Sequence, residues 1–451
     1  MTKYTSLAIA LTATTFLSAP AIAASLTPTL GGNSAFAYSE GSESDYNFTL
    51  QEADADGKLS TKYYKIDLKP EAFSTSPRIS WTEVGADQKD TADVIEVKLP
   101  NNQVKYFKYT YTQPANYTET NTRINNTLTT DNTTNVVFKN ISSSSDGSAI
   151  YNTQDHSDIN IVADFIGNDA SHTSIFFGGT IYNSGTIGNI TGNFIGNYAS
   201  PDSGAIVNSG TIGDITGDFV GNYTSAAGNS YSGAIYNLGI IGNITGDFIG
   251  NHASSSNNSD GFSSSKGSAI FHNGDGTIGN ITGNFIGNYA LSDNEALGGA
   301  IYEYGTMGNI TGDFIGNYTS SGNSSQGGAI GNKYGTIGDI IGDFIGNYAL
   351  GDNEASGGTI RNNSFSTIGN ITGNFIGNYT SSGNLSQGGA IGNHGTIGNI
   401  TGNFLNNYAK SNSGDVWGGA VYTTSNMTFS SGSDVHFMSG NYTQDPTRGK
   451  V

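Results

Sequence analysis

Glu52, Asp54 and Asp56 alternate with other residues and run into Gly57 and Leu59, the spacing with which the first half of an EF-hand loop offers carboxylates to calcium. The twelfth position of such a loop needs a bidentate Glu, and Tyr63 stands there instead. The segment therefore reads as a solvated acidic turn, with calcium binding as the alternative. The six histidines, His156, His172, His252, His272, His394 and His436, share no H-x-x-x-H or similar spacing, so they make no zinc set. Asn-Ile-Thr recurs at Asn189, Asn243, Asn280, Asn309, Asn370 and Asn399, formally a glycosylation sequon. Its placement inside a strand-and-turn repeat makes these stacking residues first. No catalytic, cofactor-binding or metal-binding residue is expected, and the chain reads as a non-enzyme.

The element that must carry these residues is a repeat. The phrase FIGN or a close variant recurs with its Phe at 165, 194, 219, 248, 285, 314, 344, 375 and 404. A second phrase, GGAI or a variant, interleaves with it from 147–150 to 418–421. Within one unit, residues 327–348, three short apolar runs are separated by Gly- or Asn-containing turns, each long enough for one strand and none for a helix. The polar stretch that follows, 349–356, changes length and sequence in nearly every copy, and 253–266 is the longest. A fixed period with variation confined to one point predicts a β-solenoid of about nine to ten coils, three strands per turn and one loop side.

In such a coil each residue stacks on its counterpart ~4.8 Å away, so repeated positions become ladders. Phe165 through Phe404 predict an internal aromatic stack, and Ile187, Ile212, Ile241, Ile278, Ile337, Ile368 and Ile397 an aliphatic one. The residue before the Phe is Asp164, Asn193, Asp218, Asp247, Asn284, Asp313, Asp343, Asn374 or Asn403. A catalytic carboxylate would not exchange with an amide in this way, so the shared property is a hydrogen-bonding oxygen in a ladder. Two columns look exposed: the tyrosines 198, 223, 289, 318, 348, 379 and 408, which could pack sugar rings, and the threonines 186, 211, 277, 306, 336, 367 and 396.

Residues 24–135 lie outside the repeat. Their runs at 63–68, 78–84, 94–99 and 104–111 alternate apolar with polar residues, and a PNNQ turn at 100–103 joins the last two into a hairpin. This N-terminal β-rich module, which holds most of the basic residues, is expected to cap the open first coil. Residues 1–23 read as a Sec-type signal: Lys3, an apolar stretch from Leu7 to Leu17, and Ala21-Ile22-Ala23 as a cleavage site. The 451 residues carry a net charge of −19, and between Lys139 and Lys410 the only cations are Lys266, Lys333 and Arg361, which argues against nucleic acid and anionic membranes as partners. With 64 glycines and no cysteine, an all-β fold held by burial and repetition is expected.

GGAI alternating with an F-x-x-N tetrad, as in Gly298 to Ile301 followed by Phe314 to Asn317, resembles the repeat pair of polymorphic outer-membrane proteins and related autotransporter passengers. The resemblance covers about residues 136–429. It implies a right-handed parallel β-helix displayed at the bacterial surface by a C-terminal barrel, commonly as an adhesin. Residues 430–451 are too few for an eight-stranded barrel of ~10-residue strands. The outer membrane therefore enters only through a barrel not present in this chain, or the passenger leaves by another route.

The expected function is a secreted or surface-displayed passenger acting as adhesin or structural scaffold. Its expected partner is a host cell or matrix component, protein or glycan, met through the variable loops. The alternative is a β-helix polysaccharide lyase or hydrolase. That chemistry needs clustered carboxylates with a base or cation, whereas the three cations of the repeat lie in separate copies.

Overall fold

The computed structural model describes residues 35–429 apart from 54–58, 75 and 172–177, together with short strands at Val435–Phe437, Tyr442–Asp445 and Gly449–Lys450. Residues 1–23, expected to be a signal, lie outside the described residues. The chain is a parallel β-solenoid in which the lane of Phe strands stacks twelve deep among the described residues, flanked by two small antiparallel sheets.

The Phe column forms as its spacing requires. Rings 138, 165, 194, 219, 248, 285, 314, 344, 375 and 404 stack with centroids 4.5–5.3 Å apart and planes within 13°. Phe138 adds a rung that the degenerate phrase FKNI hides. The Ile column packs beside it, with Met307 as one rung, in one continuous core.

Each turn is more finely divided than three strands. In one coil the strands are Ile330–Asn332, Thr336–Ile337, Ile340–Ile341, Phe344–Ile345, Tyr348–Gly351 and Glu354–Ser356. The TIGDI run breaks in two at Gly338-Asp339, where the chain rounds a corner. Past the next corner stands a glycine that cannot be replaced: a Cβ on Gly342 would lie 2.0 Å from the carbonyl oxygen of Gly312 one coil earlier. The glycine of FIGN, by contrast, is required for its left-handed backbone, φ +61° at Gly346.

The variable stretch, expected as a loop, is an arch of two further strands. Ala349 and Ala355 are buried inside it, and the hydroxyls of Ser321 and Ser325 in the coil below, like those of Ser382 and Ser386 in the coil above, meet at 3.0 Å. Small side chains let the two arms close on each other and stack coil on coil, so only the arch tips remain free to vary. The longest stretch likewise folds as His252–Ser256 and Ser264–Lys266, leaving residues 257–263 as its tip.

All four runs picked out in the N-terminal module are strands. Leu59–Leu68 pairs with Phe36–Glu40 and Phe48–Ala53, and Gln103–Tyr111 pairs with Ile79–Val84 and Val94–Leu99. Asn101 and Asn102 both take positive φ, 62° and 57°, as the two-residue hairpin turn demands. The module's position differs from an end cap. The first coil is closed by the last part of the segment, where Thr118–Thr120 and Ile124–Asn125 extend two solenoid sheets and Ile124 and Leu128 enter the core. The rod thus begins before residue 136. The two antiparallel sheets lie along its flank, in contact with coils from Asp164 to Asn406.

Candidate functional site

The seam between module and rod follows from one feature of the FIGN strand. Adjacent strand residues face opposite sides, so Phe points into the rod and the next residue points out. That next residue is apolar in every copy, and Ile249, Ile286, Ile315, Ile345, Ile376 and Leu405 are all fully buried. Their cover is the module: Ile95, Val97, Leu99 and Phe107 belong to the same cluster. Ile195 and Val220 pack instead under Ile79 and Trp81. Each such burial contributes about 1.5–3 kcal/mol.

The Asp/Asn ladder borders the seam, and its two oxygens do different work. Oδ1 accepts the backbone N–H of the same position one coil on, for example from Asn193 to Asp164 at 2.8 Å and from Asp343 to Asp313 at 2.9 Å. An amide serves equally well there, as the sequence suggested. Oδ2 belongs to the module: Asp164 accepts from Arg78 at 2.9 Å and Tyr111 at 2.7 Å, Asp218 from Ser74, and Asp343 from Tyr38 at 3.2 Å. At Asp164 the Arg78 guanidinium requires a carboxylate, which ladder reasoning missed; a module hydroxyl can meet an amide as well, as Ser76 Oγ does in accepting from Asn193 Nδ2 at 3.1 Å. Burial pushes the carboxyls of Asp218 and Asp343 above their ordinary range. Asp313 is pushed up to about 7 by burial, with the neighbouring Asp343 charge adding to it.

Toward the far end the seam opens into a groove of about 450 Å³. One wall is the module, with Asn47, Lys98 and the turn through Asn101 and Gln103; the other is Tyr348, Tyr379 and Tyr408 from three successive coils. The tyrosines stack on one another at 4.9 Å with planes within 8°, so neighbouring rings take up each other's faces and the column shows its edges. This corrects the expectation of an exposed aromatic platform for sugar rings: Tyr348 is only 1% exposed. Its hydroxyl is buried without a hydrogen-bond partner. Lys98 Nζ sits 4.9 Å and 5.3 Å from the ring centroids of Tyr318 and Tyr348, and 3.6 Å from Glu96.

The other residues with chemical potential do not converge. Glu52 falls in the strand Phe48–Ala53, and Asp54 and Asp56 lie outside the described residues. His252 is a rung of the Tyr column, 5.1 Å from Tyr223 and 4.7 Å from Tyr289, its pKa lowered to about 4 by burial. His394 lies against Tyr422 and is likewise lowered to about 4, by burial and then by Arg361. His156 and His436 sit in separate strands, and His172 lies outside the described residues. Among the described residues no three His, Asp or Glu side chains are placed to hold a metal ion. The sequon asparagines form a corner ladder, Asn280 accepting the N–H of Asn309 at 2.9 Å. Thr277, Thr306, Thr336, Thr367 and Thr396 stand exposed on an uncovered flank.

Two constellations went unread in the sequence. The FIGN asparagines form a buried ladder, each Nδ2 donating to the next Oδ1, as Asn317 does to Asn347 at 3.0 Å. A second ladder through Asn183, Asn208 and Asn237 is interrupted by His272 and Glu303, both fully buried and 2.9 Å apart. Aligning the copies shows the signal, since IFHN and IYEY replace IYN at those two turns. Comparison of the chain with protein-family models, curated proteins and solved structures finds no match.

Proposed function

We propose that this chain is an exported, passenger-type rod displayed at the cell surface, acting as an adhesin or structural scaffold toward a host cell or matrix component. One observation carries the reading: the rod's ladders recur coil after coil, and what differs most between coils is the arch tip. Residues 257–263 make the longest tip, and Phe262 stands 43% exposed on it. A large apolar side chain held out on a rigid scaffold is the usual form of a recognition element. The resemblance of the interleaved repeats to autotransporter passengers supports export and display. Gly228 links the same two strands one coil earlier, between Tyr223–Ala227 and Asn229–Tyr231. Exchanging residues 257–263 for a single glycine should therefore leave the circular dichroism spectrum unchanged while lowering attachment of the purified chain to cultured cells or matrix-coated surfaces. Unchanged attachment after this exchange and after exchange of the remaining tips would overturn the reading.

A further inference from the structure

One corner of the rod carries an aromatic row that serves neither the Phe stack nor the seam with the module. Thr306, Thr336, Thr367 and Thr396 of the exposed column are each preceded by a turn, and the residue two before them is Tyr304, Tyr334, Phe365 or His394. In the copies at 184 and 209 the same position holds serine. Tyr334 is 58% exposed and Phe365 92%. Phe365 also has an unusual backbone. It is the third residue of a turn closed by the Ser366 N–H donating to the Asn363 carbonyl at 3.2 Å, and its φ is +70°. A third turn residue with positive φ is ordinarily Gly or Asn, and a bulky side chain there is strained. The ring gains no burial in return. A strained and fully displayed aromatic does nothing for the fold, which is the pattern of a residue that meets something else.

The surroundings of the ring say what it meets. Lys333 lies 5.8 Å from the ring centroid of Tyr334, and Arg361 donates to Asn363 Oδ1 at 3.1 Å. Two of the three cations of the repeat thus stand at this corner, while the turns 332–336 and 362–367 hold no carboxylate. Tyr304 and Tyr334 are tilted at 55° with centroids 5.7 Å apart, so the row is an uneven ridge and gives a sugar chain no flat platform. A net charge of −19 disfavours an anionic membrane. We infer that this ridge docks a protein, with Phe365 as the anchor in an apolar pocket, Tyr334 beside it, and carboxylates on the pocket's rim facing Lys333. The inference rests on the attachment reading and deepens it by naming a second contact and the class of partner.

The labelled full chain would be applied to cultured cells and matrix-coated surfaces, each left untreated, digested with trypsin, or stripped with glycosidases. Phe365→Asn should weaken attachment tenfold or more. The same change should raise the melting temperature by about 1 °C, because Asn accepts the left-handed backbone that strains Phe. Phe365→Tyr keeps the ring and should attach as the parent does. Lys333→Glu should weaken attachment about threefold or more, and Lys333→Arg should not. Trypsin should abolish the binding that depends on Phe365, and glycosidases should leave it. Parental attachment by Phe365→Asn overturns the inference, as does a lowered melting temperature, which would mean that the ring serves the fold. Phe365-dependent binding that glycosidases remove makes the ligand a glycan, and binding that survives both treatments makes it a lipid surface; either result overturns the inference. Attachment that depends on the 257–263 tip and not on Phe365 removes the ridge as a site and leaves the adhesin reading standing. A parent chain that attaches to nothing takes both down together.

Discussion

The rod and its N-terminal module solve the same problem in opposite ways. In the rod most contacts are repeated: Phe on Phe, Asn on Asn, each copy stabilised by the copies above and below. In the module each contact occurs once, as in Arg78 on Asp164 or Tyr38 on Asp343, and the strands are antiparallel. A repeated contact announces itself by period. A single-copy contact between residues 86 positions apart, as Arg78 and Asp164 are, leaves no such trace.

The largest effect should come from breaking the repeated side. Phe314 is fully buried in the middle of the stack, and Phe314→Ala should cost about 3–5 kcal/mol through lost burial and a residual cavity. Tyr318→Ala should cost less, about 2 kcal/mol, since that ring lies at the seam under Lys98 and only part of its burial is in the rod. Urea unfolding of both variants checks the order. If the Tyr change is the worse one, the inner and outer faces of the rod have been confused.

The single-copy side should respond to a change that the ladder itself tolerates. Asp164→Asn keeps the Oδ1 acceptor for Asn193 and removes the charge that Arg78 and Tyr111 meet. A loss of about 2 kcal/mol is expected, moderated because Arg78 retains some contact with water. The same substitution at Asp313 should act in the opposite direction. A folded-state pKa of about 7 lies above the unfolded value of ~3.9, so the folded protein binds the extra proton. Stability is then full below pH ~4 and falls as pH rises to about 7. Asp313→Asn should flatten that fall and raise the melting temperature at pH 8. The amide gives up a carboxylate acceptor for the Ala35 N–H, which offsets part of the gain and leaves about 1 kcal/mol. Melting curves from pH 4 to 8 for the two Asn variants would show opposite signs at pH 8; the same sign would mean that the ladder, and not the seam, governs both.

Particular residues show how much could be read from the sequence. The Phe and Ile columns, the hairpin at Asn101-Asn102 and the Oδ1 ladder follow from period, turn chemistry and exchangeability. The strand count per turn does not, because a two-residue strand such as Thr336–Ile337 falls below what alternation can register. The arches look like loops because serine and alanine are weak strand formers alone and good ones when stacked on themselves. The seam did leave a sign. Phe344 and Ile345 are neighbours on a strand and both apolar, whereas Thr336 and Ile337 are hydroxyl outside and apolar inside. Two apolar neighbours on one strand require cover on both faces, and among the described residues the module is the segment outside the repeat with enough β structure to supply it. Which module residues lie on which coil was beyond reach.

The module lies along the rod and reaches from near its start to its last complete coil. The chain has no cysteine, so introduced pairs report cleanly. Ser74→Cys with Asp218→Cys probes one end, and Thr49→Cys with Asn406→Cys probes the other; in each pair the two positions are joined by a hydrogen bond. Treated separately with a short bismaleimide, both double variants should give an intramolecular cross-link at high yield, seen by mass spectrometry of the linked peptides. A link in the first pair with none in the second, or in neither, would place the module over the first coils alone and contradict the account.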